Sequence, residues 1–246
     1  MRWIYLSPHL DDAVFSAGGL IYEQTQSGIP VEVWTFMCGY PPLPEDDLSP
    51  FAQLLHVQWG YSSAEEAIRL RREEDRKAAA IVGANTVHFD FLDCIYRRGA
   101  NGEWLYSDVS VPPHPEDASF PSQIGETISA RLKPDDVLVC QLGVGSHVDH
   151  VLVRQGAELL GHPLLYDIDV PYILYKPNEL EAKSIGMKES VQAVMESSLI
   201  PWREAALMYK SQLVGLGELF DSSESIQVSL QSYWAERRGI RLLQMD

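Results

Sequence analysis

Trp3-Ile4-Tyr5-Leu6-Ser7-Pro8-His9-Leu10-Asp11-Asp12 passes from four apolar residues directly into an imidazole and two carboxylates. A short continuous apolar run bounded by turn residues reads as a strand buried on both faces, the habit of a parallel sheet. The following stretch, Ala13 to Gln26, carries Val14, Ala17, Leu20 and Ile21 at helical spacing and ends at Gly28. A second passage has the same form. Val137-Leu138-Val139-Cys140 is apolar, His147-Val148-Asp149-His150 follows it, and Val151 to Leu160 reads as a helix.

Two further apolar runs, Val31 to Met37 and Val87 to Phe91, read as strands, and Ser63 to Ile81 and Ser122 to Leu132 read as helices. Strands alternating with helices of this length imply right-handed βαβ units. The fold class expected is α/β: a Rossmann-like, mostly parallel sheet flanked by helices. Two stretches break the alternation, Cys38 to Tyr61 with Pro41, Pro42, Pro44 and Pro50, and Arg97 to Pro121 with Gly99, Gly102, Pro112, Pro113 and Pro115. Both follow strand C-termini, where open α/β sheets bind ligands, and loops of this length usually carry function. They are expected to flank the site. Ser184 to Tyr209 reads as one or two amphipathic helices, and a last element begins at Leu230 to Trp234.

The chain has 246 residues, enough for one sizeable domain and short for two. A single domain over 1–246 is expected, with a catalytic core of about 1–180 and a C-terminal extension over 181–246. The net charge of −16 argues against nucleic acid or an anionic membrane as the main partner. No apolar run reaches the roughly 18 residues of a membrane-spanning helix. The N-terminus enters a strand without a signal-peptide shape, so a cytoplasmic location is expected. Cys38, Cys94 and Cys140 lack paired spacing and read as reduced, buried residues. No G-x-G-x-x-G follows Leu6, so dinucleotide binding lacks its fingerprint.

Imidazole and carboxylate together form a donor set for zinc or a neighbouring divalent metal. His9 and Asp12 are three apart and fall on one face of a helical turn, with Asp11 directed elsewhere. Taken singly, each cluster also reads as an ordinary helix cap or polar turn. The pairing of two such clusters, each after a strand, favours a shared metal centre.

These residues carry a resemblance. Pro8-His9-Leu10-Asp11-Asp12 with Gly18-Gly19, Arg71-Arg72-Glu73-Glu74 before Gly83, Phe91-Leu92-Asp93, and His147-Val148-Asp149-His150 resemble, in order, the landmarks of the LmbE/PIG-L family of zinc-dependent N-deacetylases. Tyr166 to Tyr172 is similar to a segment of some members. The resemblance implies that His9, Asp12 and His150 are zinc ligands, with another divalent metal as the alternative. It also implies that Asp11 is the general base. His147 would stabilise the oxyanion or protonate the leaving amine, and Asp149 would orient an imidazole, taken to be His147. The implied reaction is removal of an acetyl group from an N-acetylated amino sugar or glycoconjugate. Hydrolysis of another amide or an ester, and a non-catalytic binding protein on the same fold, stay open, as does a homo-oligomer.

Arg71 is implied to bind a substrate hydroxyl or phosphate and Asp93 a hydroxyl; the alternative for Arg71 is a solvated helix charge. His88, inside a strand, reads as structural, while His114, in the second long loop, is within reach of a pocket. Trp59 and Trp104 are placed either to stack on a sugar ring or to anchor their loops. Gly18-Gly19 reads as permitting close packing of the first helix on the sheet. Leu10 and Val148 stand where many members have Pro, which points to a subgroup with its own substrate.

Overall fold

The computed structural model describes residues 1–42 and 47–245; Pro44, one of the breakers in the first long loop, lies outside them. Seven strands form one sheet: β1 (Trp3–Ser7), β2 (Val31–Thr35), β3 (Asn85–His88), β4 (Val137–Gln141), β5 (Leu164–Asp167), β6 (Met187–Ala193) and β7 (Gly239–Met245). Their order is β3-β2-β1-β4-β5-β7-β6. The first five are parallel, whereas β7 runs antiparallel to both β5 and β6. Buried on both faces by helices, β1 and β4 hold Ile4, Tyr5, Leu6, Leu138 and Val139 almost wholly out of water. Each such side chain contributes about 1.5–3 kcal/mol, which is why these strands are continuous apolar runs rather than alternating ones.

Strand order explains how two distant clusters meet. The chain leaves β1 towards β2 and β3, then crosses back so that β4 pairs with the other side of β1. Leu6 stands opposite Cys140 in register, so residues 7–12 and 141–150 emerge side by side at one edge. This is the switch point where open α/β sheets place ligands.

Four helices follow the expected pattern with small shifts, α1 (Asp12–Gln26), α3 (Ala64–Val82), α4 (Phe120–Ser129) and α5 (Val148–Glu158), whereas α2 (Pro50–Trp59) forms inside the stretch expected to be a loop, where Pro50 stands at its first position and Ser49 caps it. Helix α3 is capped by Ser63, whose side chain accepts from the Glu66 amide, and stops at Gly83 with φ 77°, the left-handed cap that glycine adopts without strain. Five later α-helices follow among the described residues: α6 (Tyr172–Tyr175), α7 (Glu179–Lys183), α8 (Leu199–Ala206), α9 (Lys210–Leu213) and, before β7, α10 (Ser223–Arg237).

The C-terminal third differs from expectation. Ser184 to Tyr209 is not all helical: its first half holds β6, and a 3-10 turn at Glu196–Ser198 and α8 follow. Strand β6 is an edge strand with most side chains in solvent, so it shows no buried face to mark its period. It forms because β7 pairs with it along seven residues. Gly18 and Gly19 serve a contact other than the sheet. Trp202 of α8 lies against both, and a Cβ at Gly19 would fall 2.9 Å from its ring. The Trp202 indole N–H also donates to the Val14 carbonyl at 2.7 Å. Through these contacts the C-terminal segment packs directly against α1 of the core. Among the described residues, no helix is long and apolar enough to cross a membrane.

Candidate active site

The edge above β1 and β4 gathers three imidazoles. Ring centroids of His9 and His150 are 5.3 Å apart, those of His9 and His147 4.6 Å, and those of His147 and His150 5.0 Å. Asp12 lies among them. Its Oδ2 accepts the His9 backbone N–H at 2.8 Å and stands 3.3 Å from both His9 Nδ1 and His150 Nε2. Zinc bound about 2.0–2.2 Å from each of three tetrahedral donors would space them about 3.3–3.6 Å apart. His150 Nε2 is buried and has no hydrogen-bond partner among the described residues. A buried polar atom left unpaired costs free energy unless something coordinates it. The two separations to Asp12 Oδ2 match that spacing, and a nitrogen each of His9, His147 and His150 lies within 4.8 Å of the other two, so the cluster is suited to a divalent metal.

Each of the two imidazoles has its other nitrogen on a carboxylate. His9 Nε2 is 3.1 Å from Asp149 Oδ2, and His150 Nδ1 is 3.3 Å from Asp169 Oδ1. Such outer carboxylates fix the ring orientation and the tautomer. The expectation that Asp149 orients His147 is corrected here. The Asp149 carboxylate faces His9, the Cys94 amide and the Arg97 guanidinium. His147 touches Asp149 only by accepting its backbone N–H on Nδ1, at 3.2 Å, as the cap of α5. Capping turns the His147 ring towards the backbone and leaves the carboxylate to His9, the Cys94 amide and Arg97.

Burial and mutual repulsion set the charges. Burial, and then the neighbouring Asp12, push the Asp11 carboxyl up to about 7, with Arg71 opposing. Burial works against charge on Asp12 too, but His150 and His9 outweigh it and hold that carboxyl well below its usual range. Burial opposes protonation of His150, yet Asp12 and Asp169 raise it to about 9. His9 is likewise raised against burial by Asp12 and Asp149. Those protons occupy the nitrogens that a cation would take, so metal binding releases them. His147 goes the other way: burial, His9 and His150 push it well below the usual imidazole value, so it rests neutral.

The cavity beside these residues measures about 470 Å³, within the roughly 300–1,000 Å³ of small-molecule pockets. Arg71 and Asp93 both line it, together with Asp11 and His147. Arg71 is 4% exposed, so it is not the solvated helix charge. Its nearest carboxylates, Asp11 and Asp93, stand 3.9 Å away, its Nε lacks a partner among the described residues, and it lies 4.9 Å over the Trp59 ring. A buried guanidinium with unspent donors facing a cavity is arranged for a ligand. Asp93 Oδ1 accepts the Ile95 amide at 3.2 Å.

The first long loop supplies α2, whose Leu55, Gln58 and Trp59 form one wall, and the second supplies Val109 and Ser110. His114 instead caps a short 3-10 turn by accepting the Glu116 amide, and Trp104 lies under Arg98 at 3.8 Å; neither lines the cavity. His88 is tied to Asp75 at 2.7 Å, a structural pair as expected. The wall that sequence reasoning missed is C-terminal: Tyr172, Tyr175, Gln212 and Gly215 to Gly217. Asp169 was missed as well. Its signal is the Asp167-x-Asp169 pair after an apolar strand, with a left-handed backbone at φ 55° in a residue other than Gly.

Residues 4–159 match the model of the GlcNAc-PI de-N-acetylase (PIG-L) family, and the chain belongs to that family. A curated relative, the 2'-N-acetylparomamine deacetylase of Niallia circulans, is 24% identical over 234 residues, which cover 87% of this chain and 82% of the relative. Among solved structures, the zinc-inhibited form of teicoplanin deacetylase Orf2 superposes with a TM-score of 0.83 at 25% identity, over 99% of this chain and 97% of that one. The A40926 pseudoaglycone deacetylase Dbv21 gives a TM-score of 0.74 at 26% identity, over 99% and 96%.

Proposed function

We propose, with family membership as the premise, that this protein is a zinc-dependent hydrolase that removes the acetyl group from an N-acetylated amino sugar or glycoconjugate. The observation that carries the reading is the His9–Asp12–His150 donor set, spaced 3.3 Å about one carboxylate oxygen with an orphaned imidazole nitrogen. Similar proteins are named as deacetylases of 2'-N-acetylparomamine, teicoplanin and the A40926 pseudoaglycone, which supports an N-acetyl amide as the scissile group.

Zinc held there supplies Lewis acidity, polarising an amide carbonyl and acidifying water. The remaining work falls to the chain. Asp11 is not part of the donor set, and with its carboxyl near 7 it is matched to take a proton from attacking water and return it to the departing amine. The His147 Nδ1 accepts a backbone N–H, so the neutral ring carries its proton on Nε2. That N–H donates to the oxygen on which charge develops as the carbonyl carbon becomes tetrahedral. Arg71 donates to, and Asp93 accepts from, hydroxyl groups of the sugar.

The test is acetate release from a panel of N-acetyl sugars and sugar conjugates by zinc-loaded protein, before and after chelation. The expected result is release that chelator abolishes and zinc restores. No release from any conjugate by fully loaded protein would overturn the reading.

A further inference from the structure

The cavity runs from a buried end to an open rim. His9 and Asp12 are buried, whereas Gln58, Tyr175, Gly215 and Gly217, which line the same cavity, are exposed. Three of these four lie beyond residue 159, where the family match stops. They belong to α6 and to a strap over residues 212–219 that is fixed at both ends. At one end the Ser211 amide and hydroxyl both donate to the Glu74 carboxylate of α3, at 3.2 and 2.6 Å. At the other, Phe220 is fully buried with its ring 5.6 Å from that of Phe15, and Ser229 donates to the Leu219 carbonyl. Over the cavity, the strap is held from α6. The Tyr175 hydroxyl donates to the Leu216 carbonyl at 2.5 Å and accepts the Leu219 amide at 3.0 Å. One turn earlier, Tyr172 lines the cavity and stands edge-on to His150, with ring centroids 5.8 Å apart. One short helix thus joins the proposed donor set to the strap.

We propose that Tyr175 is a specificity-determining residue: by pinning the strap it fixes the rim of the cavity and so limits the size of the group that the N-acetylated sugar carries. The strap and α2 already meet at the rim, since a Cβ on Gly215 would fall 3.2 Å from Gln58 Nε2. A group that extends well beyond the sugar therefore needs the strap to move. Moving it breaks both Tyr175 bonds, and the Leu216 carbonyl and Leu219 amide lose their partner while the larger group is bound. A small substrate fits beneath the pinned strap and bears no such cost. The selectivity half of the proposal rests on the hydrolase reading; the pinning of the strap does not.

The experiment compares the zinc-loaded full chain with Tyr175→Phe and Gly217→Val. Phenylalanine keeps the ring and removes both bonds. Valine at 217, where φ is 75°, strains a left-handed backbone and sets a Cβ 3.1 Å from the Tyr175 hydroxyl, so it frees the strap without altering Tyr175 and decides the matter should the first variant not fold. Two quantities are read: amide hydrogen exchange over 212–219, and kcat/KM across a panel graded in size, from N-acetylglucosamine through its aryl glycosides to its chito-oligosaccharides. The expected result is faster exchange in both variants, and a ratio of kcat/KM for the largest to the smallest substrate that rises about tenfold with zinc content unchanged. A parental ratio, an equal fall for large and small substrates, or parental exchange in a folded variant would each overturn the proposal. Were the parent to turn over no member of the panel, the hydrolase reading would fall and the selectivity half with it, and exchange would still decide whether Tyr175 pins the strap.

Discussion

The two imidazoles of the proposed donor set are held in different ways. His9, after β1, depends on Asp149, whose Oδ2 accepts the Cys94 amide and whose Oδ1 is paired with a side chain, the buried Arg97 at the start of the second long loop. Arg97 is itself set between Asp117 and the rings of Tyr106 and Phe120. His150, on α5, depends on Asp169, and Asp169 depends on backbone: its Oδ2 accepts the amides of Gly143 at 2.8 Å and Val144 at 3.0 Å. One side of the site thus rests on a buried cation carried by a loop together with one backbone amide, that of Cys94. The other rests on amides of the chain that follows β4, which no side-chain substitution removes. A compensated buried charge costs little until its partner is deleted, after which the remaining charge is stranded.

The comparison breaks most visibly if the group between the two sides is changed. Asp11→Asn deletes the proposed base and no ligand, so turnover should fall about 10²- to 10⁴-fold while zinc content, measured by mass spectrometry, stays at parental level. Turnover near parental would remove Asp11 from the base role. Next in size is the loop-held side. Arg97→Met strands Asp149 at 0% exposure, and loss of one partner of a buried pair costs about 3–5 kcal/mol. Denaturant unfolding should show that loss, and zinc affinity should fall with it as His9 loses its brace.

A smaller effect is expected on the backbone-held side. Asp169→Asn keeps an oxygen for the Gly143 and Val144 amides, so the fold should be little changed. The bond to His150 weakens, and zinc affinity should drop about 10- to 100-fold, the usual cost of an altered outer partner. If Asp169→Asn unfolds the protein as readily as Arg97→Met, the two sides are not held differently. The smallest effect should come from outside both sides. Arg71→Ala and Asp93→Ala, tested separately, should raise KM or lower kcat/KM with zinc content unaltered, as expected for substrate contacts. Unchanged kinetics in both would leave specificity to the loops and the C-terminal wall.

Much of the architecture is legible in local pattern. The runs at Trp3 to Leu6 and Val137 to Cys140 are apolar throughout because both sheet faces are covered, and a helix signal follows each. Residue types at the strand ends, His9, Asp11, Asp12 and His150, announce metal chemistry wherever the chain goes. What local pattern does not carry is the partner of each group. Asp149 sits two residues from His147 and bonds His9, 140 positions away, because α5 follows β4, which pairs with β1 and brings the two strand ends side by side. Nothing in the spacing of Arg97, Asp117 and Asp149 marks them as one buried network, since their proximity exists only after the second loop folds back over α5.

The amino-acid sequence by itself determined the parallel strands, the helices between them, and the donor residues at the strand ends, because burial on two faces and helical period are written in consecutive residues. Tertiary structure alone decided the antiparallel β6–β7 edge, the seat of Trp202 on Gly18 and Gly19, the C-terminal wall of the cavity, and which carboxylate serves which imidazole. The physical reason is common to all four. Each is a contact between segments far apart in the chain, and its energy comes from a neighbour that no stretch of consecutive residues contains.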